Sequence, residues 1–148
     1  MPIAPVERND HSEPNAEAFI FGFEFPVSGG VEKIDWHKIK PTAACPSEGW
    51  RWLHFNRLAD ETREWLEASS GLDETVIYAL LQSETRPRCA AYEDGLLLNL
   101  RGINHNPGAE PEDMISVRIW ATHNVVISMR SYPVKAIRLV IPFAAGGA

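Results

Sequence analysis

The sequence predicts an α/β (α+β) domain in which a mixed, largely antiparallel central sheet is flanked by helices. Three patterns predict it. Phe19, Phe21, Phe23 and Phe25 recur with period two in "FIFGFEF", the mark of a strand with one strongly apolar side. Val76, Ile77, Leu80 and Leu81 form an apolar stripe at helical spacing. Behind them "CAAY", "LLLNL", "ISVRIWA" and "VVISMR" read as a four-strand meander separated by turn residues.

Each element follows from local chemistry. Residues 1–17, rich in proline and polar groups, read as a flexible lead-in. The strand at Phe19–Phe25 ends at Pro26 and Gly29-Gly30, and "VEKIDW" returns as its hairpin partner. Residues 40–49 read as a loop. "WRWLHFN" carries bulky residues on both faces, so it belongs inside the sheet. A first helix, over about 60–70, is expected to be capped by Asp60 and stopped by Gly71. A second, over 73–84, is expected to be capped by Asp73, with Leu72 and Ile77 as a hydrophobic staple. Pro87 forbids its continuation. The Asp94-Gly95 pair predicts a tight hairpin turn before Leu96–Asn104. That strand is apolar on both faces, so each face calls for cover. Ile115–Ala121 and Val125–Met129 follow, joined through Thr122, His123 and Asn124.

Bulk properties narrow the function. A chain of 148 residues suits one domain with a sizeable core. The net charge of −6 argues against nucleic acid as a partner, because phosphate contacts need clustered Lys and Arg. Cys45 and Cys89 lack any paired spacing and read as reduced thiols of a cytosolic protein. No segment reaches the roughly 18 apolar residues of a membrane span, and the N-terminus lacks the pattern of a signal peptide.

Signatures of enzymes and nucleotide binders are missing: there is no Walker A, G-x-G-x-x-G, H-E-x-x-H or G-x-S-x-G. The expectation is a protein that is not an enzyme, with no catalytic residue and no tightly bound cofactor. The candidates for metal are His105, Glu110, Glu112 and Asp113, which offer one imidazole and three carboxylates to a divalent cation, zinc or magnesium. Spread along a polar connection, they predict weak binding at most, and a solvated loop is the better reading of them. His54 reads as a satisfied core histidine and Cys89 as a buried strand cysteine. Arg86 and Arg88, about Pro87, read as a loop ion pair rather than a grip on an acid.

The order of the pieces is itself informative. "W-x-H-x-N-R" at Trp52–Arg57 leads into "TREWLEASSGLDETVIYALL", then "ETRPR", "YEDGLLLNLRGIN" and "DMISVRIWATHNVVISMR". This series, over about Phe19 to Ile137, resembles the N-terminal cytosolic domain of CorA-type divalent-cation transporters, and within them the ZntB-like zinc transporters. The resemblance implies a domain over 18–137 that forms part of a funnel on the cytoplasmic face of the inner membrane, pentameric in the full-length family. It implies divalent metal ions as partners, beside self-association. The family's stalk helix, two membrane helices and Gly-Met-Asn motif have no counterpart here, so the chain itself is expected to be soluble, cytoplasmic, without membrane contact, and to move no ion. The acidic metal-sensing residue that some members place after the strand matching "LLLNLRGIN" is replaced by Asn104, His105 and Asn106. Residues 138–148 form an atypical apolar tail; "IRLVIPFAAGGA" resembles the mature start of periplasmic tricarboxylate-receptor proteins. A freestanding small-ligand or metal-binding module is the other reading.

Overall fold

The computed structural model describes residues 18–41, 43, 45, 48–83, 86–105, 107, 108, 110, 114–131, 137 and 138. The chain begins with a hairpin of β1 (Phe19–Phe25) and β2 (Glu32–Ile34), paired antiparallel with Phe23 opposite Lys33. Gly29 and Gly30 take positive φ in the connection, and Gly29 N–H donates to the Pro26 carbonyl. Only three residues of "VEKIDW" continue as strand. Asp35 accepts a hydrogen bond from the Lys38 N–H and so caps a short helix, α1 (Trp36–Ile39).

β3 (Trp50–Asn56) lies inside the sheet, as its two-sided bulk predicts. It pairs antiparallel with β1 and parallel with β7 (Val125–Arg130). The parallel pairing needs a long crossover. Helices α2 (Asp60–Ala68) and α3 (Glu74–Leu81), then β4 (Arg88–Ala91), β5 (Leu96–Asn104) and β6 (Ile115–Ala121), fill it. The strands run in the order β2-β1-β3-β7-β6-β5-β4, and the short β8 (Ile137–Arg138) pairs with the far end of β5.

Local expectations hold at some positions and shift at others. Gly71 takes φ +72 just past α2, and the Asp73 carboxylate accepts from the Thr75 N–H at the start of α3. At α2, however, the N-cap is Ala59, with no side-chain cap; Asp60 is already the first helical residue. α3 ends at Leu81, earlier than expected, because Gln82 turns extended with ψ 138. The hairpin loop is Glu93-Asp94, one residue before the Asp-Gly pair: Tyr92 N–H donates to the Gly95 carbonyl, and Gly95 does not take positive φ. Glycine is required there for space, since a Cβ would stand 2.7 Å from the Ala121 carbonyl oxygen and 2.8 Å from the Trp120 ring.

The core lies on one face of the sheet. Leu53, Phe55, Leu97, Trp120, Val125, Ile127 and Met129 meet Trp65, Leu66, Val76, Ile77 and Leu80 from α2 and α3. Leu66 and Leu80 are fully buried, while Leu81 is half-buried at the edge. The opposite face contributes nothing to this cluster.

Candidate functional site

Polar and ionisable groups gather in three places. The first is the helix-covered face. Glu24 and Arg51, opposite one another on β1 and β3, form a buried ion pair at 3.5 Å, and the Cys45 thiol donates to Glu24. Both charges leave water together, which is tolerable only because they are paired. Farther along the face, the buried Arg118 donates from Nη1 to the Leu80 carbonyl at 2.6 Å, while Arg57 donates to the Leu81 carbonyl at 3.2 Å. Two guanidinium groups thus close the last turn of α3, where the helix dipole is negative. Burial, with Arg57 nearby, brings the Arg118 pKa down to about 10, so it stays charged at neutral pH.

The second place is the open face. His54 Nδ1 lies 2.7 Å from Ser128 Oγ, and the Trp52 indole N–H donates to the same oxygen at 2.9 Å. The Phe21 ring stacks on His54 with centroids 4.7 Å apart. Desolvation, and then the charge of Arg130, lower the His54 pKa to about 4, while Ser128 opposes them. The imidazole is neutral at physiological pH. It is satisfied, as expected, but it sits on the face away from the core.

The third place is a cleft of about 650 Å³ where the start of α3 meets the β4–β5 and β6–β7 turns. Asp73, Glu93, Asp94 and His123 line it, with Tyr92 and Trp120 packed edge to face below. The Asp73 pKa is lowered by its hydrogen bonds from Thr75. A narrower cleft of about 530 Å³ runs along α2 and α3 past Arg63, Glu67 and Tyr78. Sequence reading passed over the larger cleft. Its acids come from two separate turns, with His123 from a third, and no spacing along the chain announces them.

The expected metal ligands do not converge. His105 and Glu110 are exposed in the connection between β5 and β6, while Glu112 and Asp113 lie outside the described residues. Among the described residues no group of three or more His, Cys, Asp or Glu is placed to hold a metal ion. Cys89 is exposed on the edge strand β4, against the expectation of burial; nothing flanks that edge among the described strands. Arg86 and Arg88 are exposed as well. Neither cysteine forms a disulfide. No helix among the described residues is long and apolar enough to cross a membrane.

The fold over most of this chain is shared with known proteins. Residues 47–142 match the family described as CorA-like Mg2+ transporter protein. This chain belongs to the CorA-like family. The divalent cation transporter CmaX of Pseudomonas aeruginosa is 41% identical over 119 residues, covering 80% of this chain and 36% of that protein. The zinc transport protein ZntB of Yersinia enterocolitica is 29% identical over 118 residues, covering 80% of this chain and 35% of that protein. Among solved structures, the ZntB cytoplasmic domain from Vibrio parahaemolyticus superposes with a TM-score of 0.66 at 31% identity, covering 78% of this chain and 45% of that one. The CorA-like chain therefore spans about a third of the length of the curated relatives it matches. The match falls on the soluble-domain fold of the family and on relatives named as transporters, not enzymes.

Proposed function

We propose that this chain is the cytosolic, funnel-forming or regulatory portion of a divalent metal-ion transporter, with zinc ahead of magnesium as the ion carried. The observation that supports it most is the superposition on the ZntB cytoplasmic domain at 31% identity. The ordering of ions rests on the relatives named for zinc. In this reading the chain works at the cytoplasmic side of a membrane and contributes a scaffold and an electrostatic approach to the pore. The net charge of −6 and the acidic cleft favour cations near the domain without binding them tightly. It performs no catalysis and needs no cofactor. Its self-association depends on parts of the full-length protein beyond the matched third, so the chain alone is not a stable pentamer.

The acidic cleft favours a second reading, a freestanding module that binds a small ligand or metal there or along the β5–β6 connection. Calorimetry separates the two. Metal-free chain titrated with zinc shows weak binding at most under the transporter reading. A submicromolar one-to-one isotherm abolished by His105→Ala would replace it with the module reading.

A further inference from the structure

Arg57 stands where three elements end. Asn56, the last residue of β3, is fixed from two sides. Its N–H donates to the Ala18 carbonyl at 2.8 Å, and its carbonyl accepts from the buried Thr62 hydroxyl of α2 at 2.7 Å. Arg57 follows on that fixed post, and its own N–H donates to the carbonyl of Arg130, the last residue of β7, at 2.8 Å. The side chain then reaches two ways. Nε donates to the Ser131 hydroxyl at 2.8 Å, just where β7 has left the sheet. Nη1 donates to the carbonyl of Leu81, the last residue of α3, at 3.2 Å.

This joint has the marks of a segment that opens locally. Both side-chain bonds are only part-buried. The helix stops at once: the Gln82 N–H donates to the Tyr78 carbonyl at 3.1 Å, and Gln82 itself is extended. Beneath it Arg118 holds the neighbouring Leu80 carbonyl, while its Nε has no partner. The charge of Arg57 opposes that of Arg118. Each guanidinium favours the negative end of the helix, yet the two repel one another there. Bonds that are part-open to water, at a helix end, lie at the low end of the range of local stability.

We propose that Arg57 is a positioning residue that makes the last turn of α3 and the exit of β7 a single two-state unit, closing and opening together. A guanidinium is planar and rigid, so its nitrogens cannot be aimed separately. Release of Ser131 lets the plane swing and draws Nη1 from Leu81; fraying at Leu81 loosens the hold on Ser131 in turn. Coupling of this kind needs one element that both ends bias, and here that element is one side chain. It is reciprocal by necessity. In the transporter function proposed above, the tie carries the state of the helix layer to the chain beyond β7. That consequence rests on the transporter reading, whereas the coupling itself is measured on this chain alone.

Amide hydrogen exchange of the 148-residue chain, followed by NMR, tests it. The Gln82 N–H reports the helix end, and the Arg57 N–H reports the β7 exit. The Thr122 N–H, bonded to the Val125 carbonyl at the other end of β7, is the control. The expected result is one shared protection factor for Gln82 and Arg57, lower than that of the fully buried Ile127 within β7. Ser131→Ala should lower the protection of Gln82 about two- to tenfold, the worth of one hydrogen bond, and leave Thr122 unchanged. Arg57→Lys keeps the charge and loses the fork. It should lower both reporters together, and Ser131→Ala added to it should change Gln82 no further. A Gln82 amide indifferent to Ser131→Ala overturns the proposal, whether or not Arg57→Lys folds. So does a Gln82 response that persists in the Arg57→Lys background, which would route the coupling elsewhere. Reporters as well protected as Ile127 would overturn it too, because they would open only with the whole domain.

Discussion

Single residues carry three of the account's tests. Leu80 is fully buried between α3 and the sheet, so Leu80→Ala should cost about 2–5 kcal/mol, read as a lower urea midpoint with an unchanged slope. Gly95→Val should cost more than Ala91→Val, because it forces a side chain against the Ala121 carbonyl and the Trp120 ring, whereas Ala91 is exposed. Equal midpoints for the two variants would contradict the close approach. The Asp-Gly pair pointed to this glycine, but for positive φ; the crowding comes from β6, which is distant in sequence. His54 gives a pH test. Its folded pKa of about 4 lies below the unfolded 6.5, so the unfolded chain binds the proton more readily. The stability is complete above 6.5 and is lost as pH falls through that window toward 4, by roughly 2 kcal/mol for a partly exposed ring. His54→Phe should flatten the decline in thermal midpoint between pH 7 and 4.5; a decline as steep as that of the parent would remove His54 from the account.

At the scale of elements, the legible parts were those whose signal is local. β1 and β6 fall where alternation placed them and β5 where its two-sided apolar run did, and the Asp73 cap and Gly71 stop do what their chemistry allows. The short α1 was missed because four residues carry too little periodicity to show against the strand pattern of "VEKIDW". The parallel register of β3 on β7 joins residues more than seventy positions apart, and no local pattern encodes it. The start of α2 slipped by one residue because Asp60 has the chemistry of a cap but occupies the first helical position. That slip is itself a prediction: Ala59→Ser supplies the absent acceptor and should stabilise the domain by about 1 kcal/mol. No gain in thermal midpoint would mean that the orphan N–H groups there are already satisfied. The candidate metal residues were legible only as composition. His105 and Glu110 are exposed, and the cleft that does collect acids draws them from two turns distant in sequence.

For the molecule as a whole, the sheet explains why the chain reads as part of something larger. Its strands are apolar on both faces, yet the core fills one. In the function proposed above the domain supplies a scaffold and a charged approach, while ion passage needs spanning structure whose backbone groups are all satisfied. The direct test is a chimera in which this chain replaces the corresponding third of a ZntB relative, reconstituted into liposomes loaded with a zinc-sensitive dye, beside the chain alone. The account predicts zinc influx for the chimera and none above empty liposomes for the chain alone. Influx from the chain alone, or a folded and fully assembled chimera that moves no zinc, would contradict it.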